Sequence, residues 1–223
     1  MKRIIVFLKY PEPGQVKTRL AAVVGSEAAA RLARHFAEAT LAETLELDLP
    51  VDICFAPEER EAEIRAWLGQ ANTYSVQRGA DLGERMQNAF TAAFAQGAER
   101  VVLVGTDAPD RPASFMTDAL ELLEDHDVVL SPALDGGYHL IAMSVRGFAA
   151  EAFQGISWST PQVLAQTLIA LRRAGRRVYM LPPWRDIDDK AGLDDYLEIH
   201  PEATGLLEGT ASTEGDGPCR TKA

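Results

Sequence analysis

The chain has 223 residues and a formal net charge of -11 at pH 7. This charge argues against general nucleic-acid binding, because a polyanion would meet a repulsive field. Apolar residues make up 47% of the sequence, enough for one substantial core that needs no stabilising metal or disulfide.

The two cysteines, Cys54 and Cys219, lie far apart and match no zinc-binding or disulfide spacing. We therefore expect two free thiols in the reducing cytoplasm. The first apolar run, residues 4–8, is too short for a signal-peptide core or a membrane span. The sequence thus favours a cytoplasmic protein that spans no membrane.

In the first half of the chain, short apolar runs alternate with stretches of helical periodicity. Residues 4–8 form a β-branched run bounded by charge and by Pro11 and Pro13, which is typical of a fully buried strand. In chain order we predict a strand at 4–8, a long helix that begins at Ser26, a strand at 51–55, a helix at 58–68, a weaker strand at 74–77 and a helix whose apolar residues run from Leu82 to Phe94.

The second half continues the alternation. It predicts a strand at 101–104, a helix at 115–123, strands at 128–130 and 138–143, a helix at 160–173 with Pro161 in its first turn, a strand at 177–181 and a helix at 190–199. Such alternation implies one α/β domain over residues 1–207 with a mainly parallel sheet, and such sheets bind ligands beyond the carboxyl ends of their strands. Residues 208–223 are almost devoid of apolar side chains, so we expect a disordered tail.

The loop after the first strand is a candidate phosphate site. Residues 1–34 hold seven Lys and Arg against two Glu, and three of these cations, Lys9, Lys17 and Arg19, lie in or next to the loop. Gly14 allows a ligand to approach the backbone, and the cations can converge on phosphate oxygens. The loop matches neither the P-loop nor the G-x-G-x-x-G pattern. A P-loop NTPase and a dinucleotide oxidoreductase are therefore disfavoured.

Carboxylates follow two of the predicted strands. Asp107 comes just after the strand at 101–104, and Asp186 and Asp188 follow the last strand, where extended backbone would turn both to the same side. Mg²⁺ is usually held by one or two carboxylates together with substrate phosphates and water. We therefore predict a Mg²⁺ site, which Mn²⁺ could also fill, at Asp107, Asp186 and Asp188. Asp189 is expected to cap the last helix.

Three further segments carry candidate residues. Asp135, followed by Gly136 and Gly137, could contact a sugar hydroxyl, the acceptor or the metal shell. Arg78 and Arg85 could reach a phosphate or a base. Trp158, Ser159 and Thr160 form either an ordinary helix start or the wall of an acceptor pocket, and the residues alone leave these alternatives open. His139 falls within a strand and is expected to be a hydrogen-bonded structural residue.

Taken together, five segments in unchanged order resemble a bacterial family of glycosyltransferase-like proteins associated with radical-SAM/selenodomain genes. They are residues 17–20, 105–109, 135–138, 158–160 and 186–188. The family is similar to the guanylyltransferases of coenzyme F420 biosynthesis, within the nucleotide-diphospho-sugar transferase superfamily. The resemblance implies a three-layer α/β/α, Rossmann-like GT-A fold with a mainly parallel mixed sheet. It also implies that Asp107, Asp186 and Asp188 hold Mg²⁺ and that Lys17 and Arg19 serve the phosphates.

The sequence departs from the family pattern at two positions. Asp110 replaces an aliphatic residue that commonly follows the proline, and Asp189 replaces a threonine. Neither position belongs to the predicted ligand set.

Two enzymatic chemistries fit these residues. The first is glycosyl transfer from a nucleotide sugar, and the second is nucleotidyl transfer from a nucleoside triphosphate to a phosphate or carboxylate. In both, Lys17, Asp107 and Asp135 are the catalytic candidates and a small molecule is the acceptor. A non-catalytic nucleotide-binding regulatory domain is the alternative of another class.

Overall fold

The strands are, in chain order, β1 (Lys2–Lys9), β2 (Val51–Ala56), β3 (Thr73–Val76), β4 (Arg100–Val104), β5 (Val128–Pro132), β6 (Tyr138–Ser144) and β7 (Val178–Met180). They form one sheet in the order β3-β2-β1-β4-β6-β5-β7, in a computed structural model that describes residues 1–69 and 73–208. All pairings are parallel except those of β6, which is antiparallel to β4 and β5. The predicted α/β fold with a mainly parallel mixed sheet is confirmed.

The helices of the described residues are α1 (Thr18–Val24), α2 (Ser26–Leu45), α3 (Glu61–Leu68), α4 (Leu82–Ala95), α5 (Ser114–Leu122), α6 (Val163–Arg173) and α7 (Lys190–Ile199). Alternate side chains of β1 enter two different cores, since successive residues of a strand point to opposite faces. Ile4, Val6 and Leu8 pack with α2, α3 and α5, whereas Ile5 and Phe7 pack with α4 and α6. The sheet is thus the middle of three layers.

A third apolar cluster joins the two ends of the chain. Leu20 of α1, Phe36 of α2 and Leu193 of α7 pack with Ile187, whose side chain is fully buried. Ile187 lies between Asp186 and Asp188, two of the three predicted metal carboxylates, so its burial fixes the backbone from which these two project.

Some element boundaries differ from the predictions. Helix α1 was not predicted, because it is only seven residues long and buries only Leu20. The helix expected from residue 160 begins at Val163 instead, since Ser159 has a left-handed backbone (φ 62°) and the Thr160 hydroxyl accepts from the Gln162 N–H in a local turn. Residues 58–60 form a 3₁₀ turn before α3.

The predicted tail lies outside the described residues apart from Glu208, as does Cys219. Cys54 is a free, buried thiol, and burial raises its pKa to about 12. Over residues 1–69 and 73–208, no helix combines the length and apolarity that crossing a bilayer requires.

Candidate functional site

The carboxyl edge of the sheet brings together residues from both ends of the chain. Asp107 follows β4, and residues 184–188, here called the carboxylate segment, follow β7 and carry Asp186 and Asp188. The Ile187 N–H donates to the Asp107 carbonyl at 2.8 Å, which holds the segment beside the β4 loop. Asp189 accepts from the Gly192 N–H and caps α7, as predicted. The two acidic stretches therefore meet at one point.

The cation at this point is Lys17. Its ammonium forms ion pairs with Asp107 and, at 2.8 Å, with Oδ1 of Asp188, and it donates to the Ile187 carbonyl at 3.0 Å. An ammonium has three N–H groups, and these three acceptors use all of them. The sequence-based prediction had Lys17 facing a phosphate, whereas the structure places it among the carboxylates with only 5% of its side chain exposed.

Electrostatics and local geometry both hold Lys17 in this position. Burial lowers the pKa of Lys17, but the charges and hydrogen bonds of Asp107 and Asp188 outweigh it and raise the pKa overall. Its backbone is left-handed (φ 46°), an unusual conformation for a non-glycine residue, and its Nζ lies 5.4 Å from the centre of the Phe36 ring. Such a conformation persists only where the surrounding structure enforces it.

Asp186 is the third carboxyl group of this cluster, and its ionised form is disfavoured. Burial, and then the charges of Asp107, Asp188 and Asp135, raise its pKa to about 7, although Lys17 lowers it. Its Oδ1 atom is buried and has no hydrogen-bond partner among residues 1–69 and 73–208. A buried, unpaired carboxylate oxygen beside two further carboxylates suits a hard divalent cation, so the residues fit Mg²⁺ or Mn²⁺. In the described part of the chain, however, no three His, Cys, Asp or Glu side chains form a ready-made metal site.

At the same edge of the sheet, the loop after β1 borders an open cleft. The cleft has a volume of about 440 Å³ and lies at the carboxyl ends of β1, β2 and β3. It is lined by Lys9, Tyr10, Glu12, Gln15, Ala56, Pro57, Glu58, Glu59, Val76, Gln77 and Arg85. The Lys9 ammonium donates across its own loop to the Gln15 carbonyl at 2.6 Å, Gly14 has φ 78°, and Arg19 is exposed. The loop is therefore held in shape by internal contacts.

Gln77 was missed by the sequence analysis. Its side-chain amide donates to the Leu8 carbonyl at 3.1 Å and the Cys54 carbonyl at 2.9 Å, which pins it to the ends of β1 and β2. The available signal was its position at the end of the predicted third strand. The two arginines predicted to bind a phosphate or a base lie in different environments. Arg85 lines the cleft, whereas Arg78 is mostly exposed and pairs with Glu58 at 3.1 Å.

The turn between β5 and β6 carries Asp135. Asp135 is exposed and accepts from the Gly137 N–H at 2.9 Å, and it is near enough to Asp186 to raise that residue's pKa. Trp158 packs against Gly83 and lies edge-on to Tyr138, with 6.4 Å between ring centres. Trp158 therefore belongs mainly to the core, while Ser159 is exposed beside it and Thr160 is half-buried.

We expect Gly136→Ala to destabilise the protein strongly. Gly136 has φ 93°, and an added Cβ would lie 2.3 Å from the Pro161 carbonyl oxygen. Strain and overpacking together should cost about 2 kcal/mol or more. Urea unfolding measures the loss, with Gly205→Ala as the control because an added Cβ there meets nothing within 4 Å. Equal unfolding midpoints for the two variants would contradict the packing described.

His139 differs from its prediction. It is buried, but neither ring nitrogen has a hydrogen-bond partner among the described residues, so it is not the hydrogen-bonded histidine expected. Burial, and then the charge of Arg111, lower its pKa to about 3, so the ring is neutral.

Arg111 was missed by the sequence analysis. It is 1% exposed, and burial lowers its pKa to about 10 although Glu43, Asp186 and Asp110 oppose this.

Comparisons with known proteins agree with the α/β fold. Residues 40–160 match the sequence family DUF2064, described as "Uncharacterized protein conserved in bacteria". No curated protein sequence matches the chain.

Among solved structures, the "putative nucleotide-diphospho-sugar transferase" from Desulfovibrio desulfuricans G20 is 37% identical, with a TM-score of 0.84 over 92% of this chain and 96% of that one. A nucleotidyl transferase from Methanothermobacter thermautotroptrophicus shares the fold at 17% identity, with a TM-score of 0.56 over 92% and 98% of the two chains. So does the manganese complex of Rv0371C from Mycobacterium tuberculosis H37Rv, at 14% identity, with a TM-score of 0.53 over 89% and 98%.

Proposed function

The chain belongs to the bacterial family DUF2064 and to the family of the nucleotide-diphospho-sugar transferase-like protein from Desulfovibrio, and we propose that it is a Mg²⁺-dependent transferase with a nucleotide donor. One observation carries the proposal. At the carboxyl edge of the sheet, Lys17 of the basic loop pairs with Asp107 and Asp188, which follow two different strands, and Asp186 is close enough to feel their charges. The same edge of the sheet carries an open cleft bordered by the basic loop. This is where an open α/β sheet binds its ligands.

Each part of the edge has a role in the proposal. The nucleoside lies in the cleft between the loop and Gln77, and the phosphates lie between Arg19 and the carboxylates. Asp107, Asp186 and Asp188 hold Mg²⁺ or Mn²⁺, and Rv0371C, which shares the fold, has been solved as a manganese complex. When bound, the metal neutralises phosphate charge in the ground state and the transition state. The acceptor lies on the side of Asp135, Gly136 and Gly137.

Lys17 has two positions in this proposal. In the position that the structure shows, it neutralises Asp107 and Asp188. To reach a phosphate, its ammonium must leave them, and its flexible four-carbon stem allows this without movement of the backbone. It then stabilises the negative charge that develops on the leaving group.

The first candidate reaction is glycosyl transfer. The acceptor hydroxyl oxygen attacks the anomeric carbon, the bond from that carbon to the nucleoside diphosphate oxygen breaks, and the hydroxyl proton passes to a base. Asp135 is the candidate base, since it is exposed and lies close to the carboxylate segment. This reaction agrees with the description of the Desulfovibrio relative.

The cationic loop favours the second candidate, nucleotidyl transfer. An acceptor phosphate or carboxylate oxygen attacks the α-phosphorus, the bond to the bridging oxygen of the β-phosphate breaks, and pyrophosphate leaves. Such an acceptor is already anionic and needs no base. Lys9, Lys17 and Arg19 together would suit a triphosphate.

Thermal unfolding with ligands tests the function. We expect nucleoside triphosphates or nucleotide sugars to raise the melting temperature in Mg²⁺ but not in EDTA, because only the folded protein binds them. Asp107→Asn should remove this shift, whereas Asp194→Asn, an exposed change on α7, should keep it. A nucleotide shift that is equal in EDTA would contradict the metal site. Metal-dependent binding without turnover of any donor would favour a regulatory nucleotide-binding domain.

A further inference from the structure

The spacing between the predicted metal ligands depends on how the carboxylate segment is attached. Asp107 lies in the loop after β4, whereas Asp186 and Asp188 lie in the segment after β7. At its start the segment is joined to β5, since the Trp184 N–H donates to the Pro132 carbonyl at 3.0 Å. At its centre the buried Ile187 donates to the Asp107 carbonyl. These backbone contacts leave the side chains of Trp184 and Arg185 to be fixed in another way.

Asp110 fixes both. Its Oδ1 accepts from the Trp184 indole N–H at 3.0 Å, and its Oδ2 forms an ion pair with the Arg185 guanidinium. The Asp110 side chain is 10% exposed and that of Arg185 is 24% exposed, so water screens the pair only partly. The Trp184 ring also lies edge-on to Phe115 of α5, with 5.6 Å between ring centres.

Through these contacts, Asp110 connects the two segments that carry the predicted metal ligands. It lies three residues after Asp107 in the same loop, and its two partners directly precede Asp186. The side chain therefore ties the loop that carries one predicted ligand to the segment that carries the other two. An aliphatic residue at this position could pack against Trp184 but could accept neither hydrogen bond.

We propose that Asp110 is a positioning residue, which sets the spacing of Asp107 relative to Asp186 and Asp188 and thereby the affinity of the site for a divalent cation. The inference rests on the proposed function, because it needs the metal site. Residues that orient metal ligands without touching the metal typically change metal affinity by about 10- to 100-fold when they are replaced.

The test is a titration with Mn²⁺ alone, in which electron paramagnetic resonance measures the free ion, at a temperature well below the melting temperature of every variant. We expect Asp110→Leu to weaken Mn²⁺ binding by about tenfold or more. Asp110→Asn should weaken it less, since the amide oxygen can still accept from Trp184. Asp118→Leu, an exposed change on α5, is the control and should bind as the wild type does.

Two outcomes separate positioning from simple stabilisation. If Asp110→Leu lowers the melting temperature but binds Mn²⁺ as tightly as the wild type, Asp110 is only structural and the inference is overturned. Should Asp110→Leu fail to fold, Asp110→Asn and Arg185→Gln decide, and unchanged Mn²⁺ affinity in both overturns it. If neither the wild type nor Lys17→Met bound Mn²⁺, the metal site of the proposed function would be refuted, whereas measurable wild-type binding with an indifferent Asp110 would refute only this inference.

Discussion

Replacing Lys17 by methionine is expected to abolish most turnover and yet to strengthen the binding of Mn²⁺ in the absence of nucleotide. The Lys17 ammonium now shares Asp107 and Asp188 with any metal that enters, so its loss removes a competing cation. We expect an increase in Mn²⁺ affinity on the order of tenfold, in the usual range of coupling between two ligands of one site. Turnover should fall by about 100-fold or more, as it does when a charge-stabilising donor is lost.

The measurements are a Mn²⁺ titration without nucleotide and an assay of product formation with saturating donor. Lys190→Met is the matched control, since Lys190 is exposed and its one ion pair among the described residues is with Asp194. Lys17→Arg should keep Mn²⁺ binding weak, because it keeps the charge, but should not restore full turnover, because a planar fork differs from an ammonium. Weaker Mn²⁺ binding by Lys17→Met would show that Lys17 organises the carboxylates and does not compete for them.

We expect Asp186→Asn to stabilise the metal-free protein relative to the wild type, and to do so by more at pH 8 than at pH 5. The pKa of Asp186 rises from 3.8 to about 7 in the folded protein. Between these values the unfolded chain releases a proton that the folded chain keeps, so stability falls as pH rises and is lowest above pH 7. Asparagine does not ionise and avoids this loss.

After allowance for partial exposure, the advantage of the variant should grow by about 1 to 2 kcal/mol between pH 5 and pH 8, which is roughly 3 to 6 °C in melting temperature for a protein of this size. Melting curves in EDTA measure it, with Asp194→Asn as the control that should show no such growth. The same variant should lose metal-dependent stabilisation by nucleotides. An advantage that is equal at both pH values would mean that Asp186 is ionised normally in the folded protein.

The fold was predictable because each strand has a local signal. The buried run of β1 and the apolar spacing of α4 are properties of neighbouring residues. Likewise, Asp107 and the Asp186/Asp188 pair could be placed at strand ends, which share one edge in a parallel sheet. The antiparallel direction of β6 is not a local property, since it depends on which strands lie beside it.

The partners of the site residues were not predictable for the same reason. That Lys17 contacts Asp188, and Asp110 contacts Trp184, depends on the packing of segments far apart in sequence. Arg111 and Gln77 were missed because a polar side chain next to an apolar run usually faces water. Arg111 is fully buried and Gln77 is half-buried, and in both cases this depends on segments that are distant in sequence, not on their neighbours in the chain.

The bond between Lys17 and the Ile187 carbonyl joins residues 170 positions apart in sequence. During synthesis, the lysine leaves the ribosome long before its counter-ions exist, while β1, β2 and β3 can already pair. A nascent or truncated chain that ends before Asp186 would therefore have to keep this ammonium hydrated, and could not bury it where the finished protein does. The carboxylate segment, which is made long after Lys17, thus completes the candidate site, so a chain that terminates before Asp186 would hold the residues of all seven strands but lack two of the three predicted metal ligands.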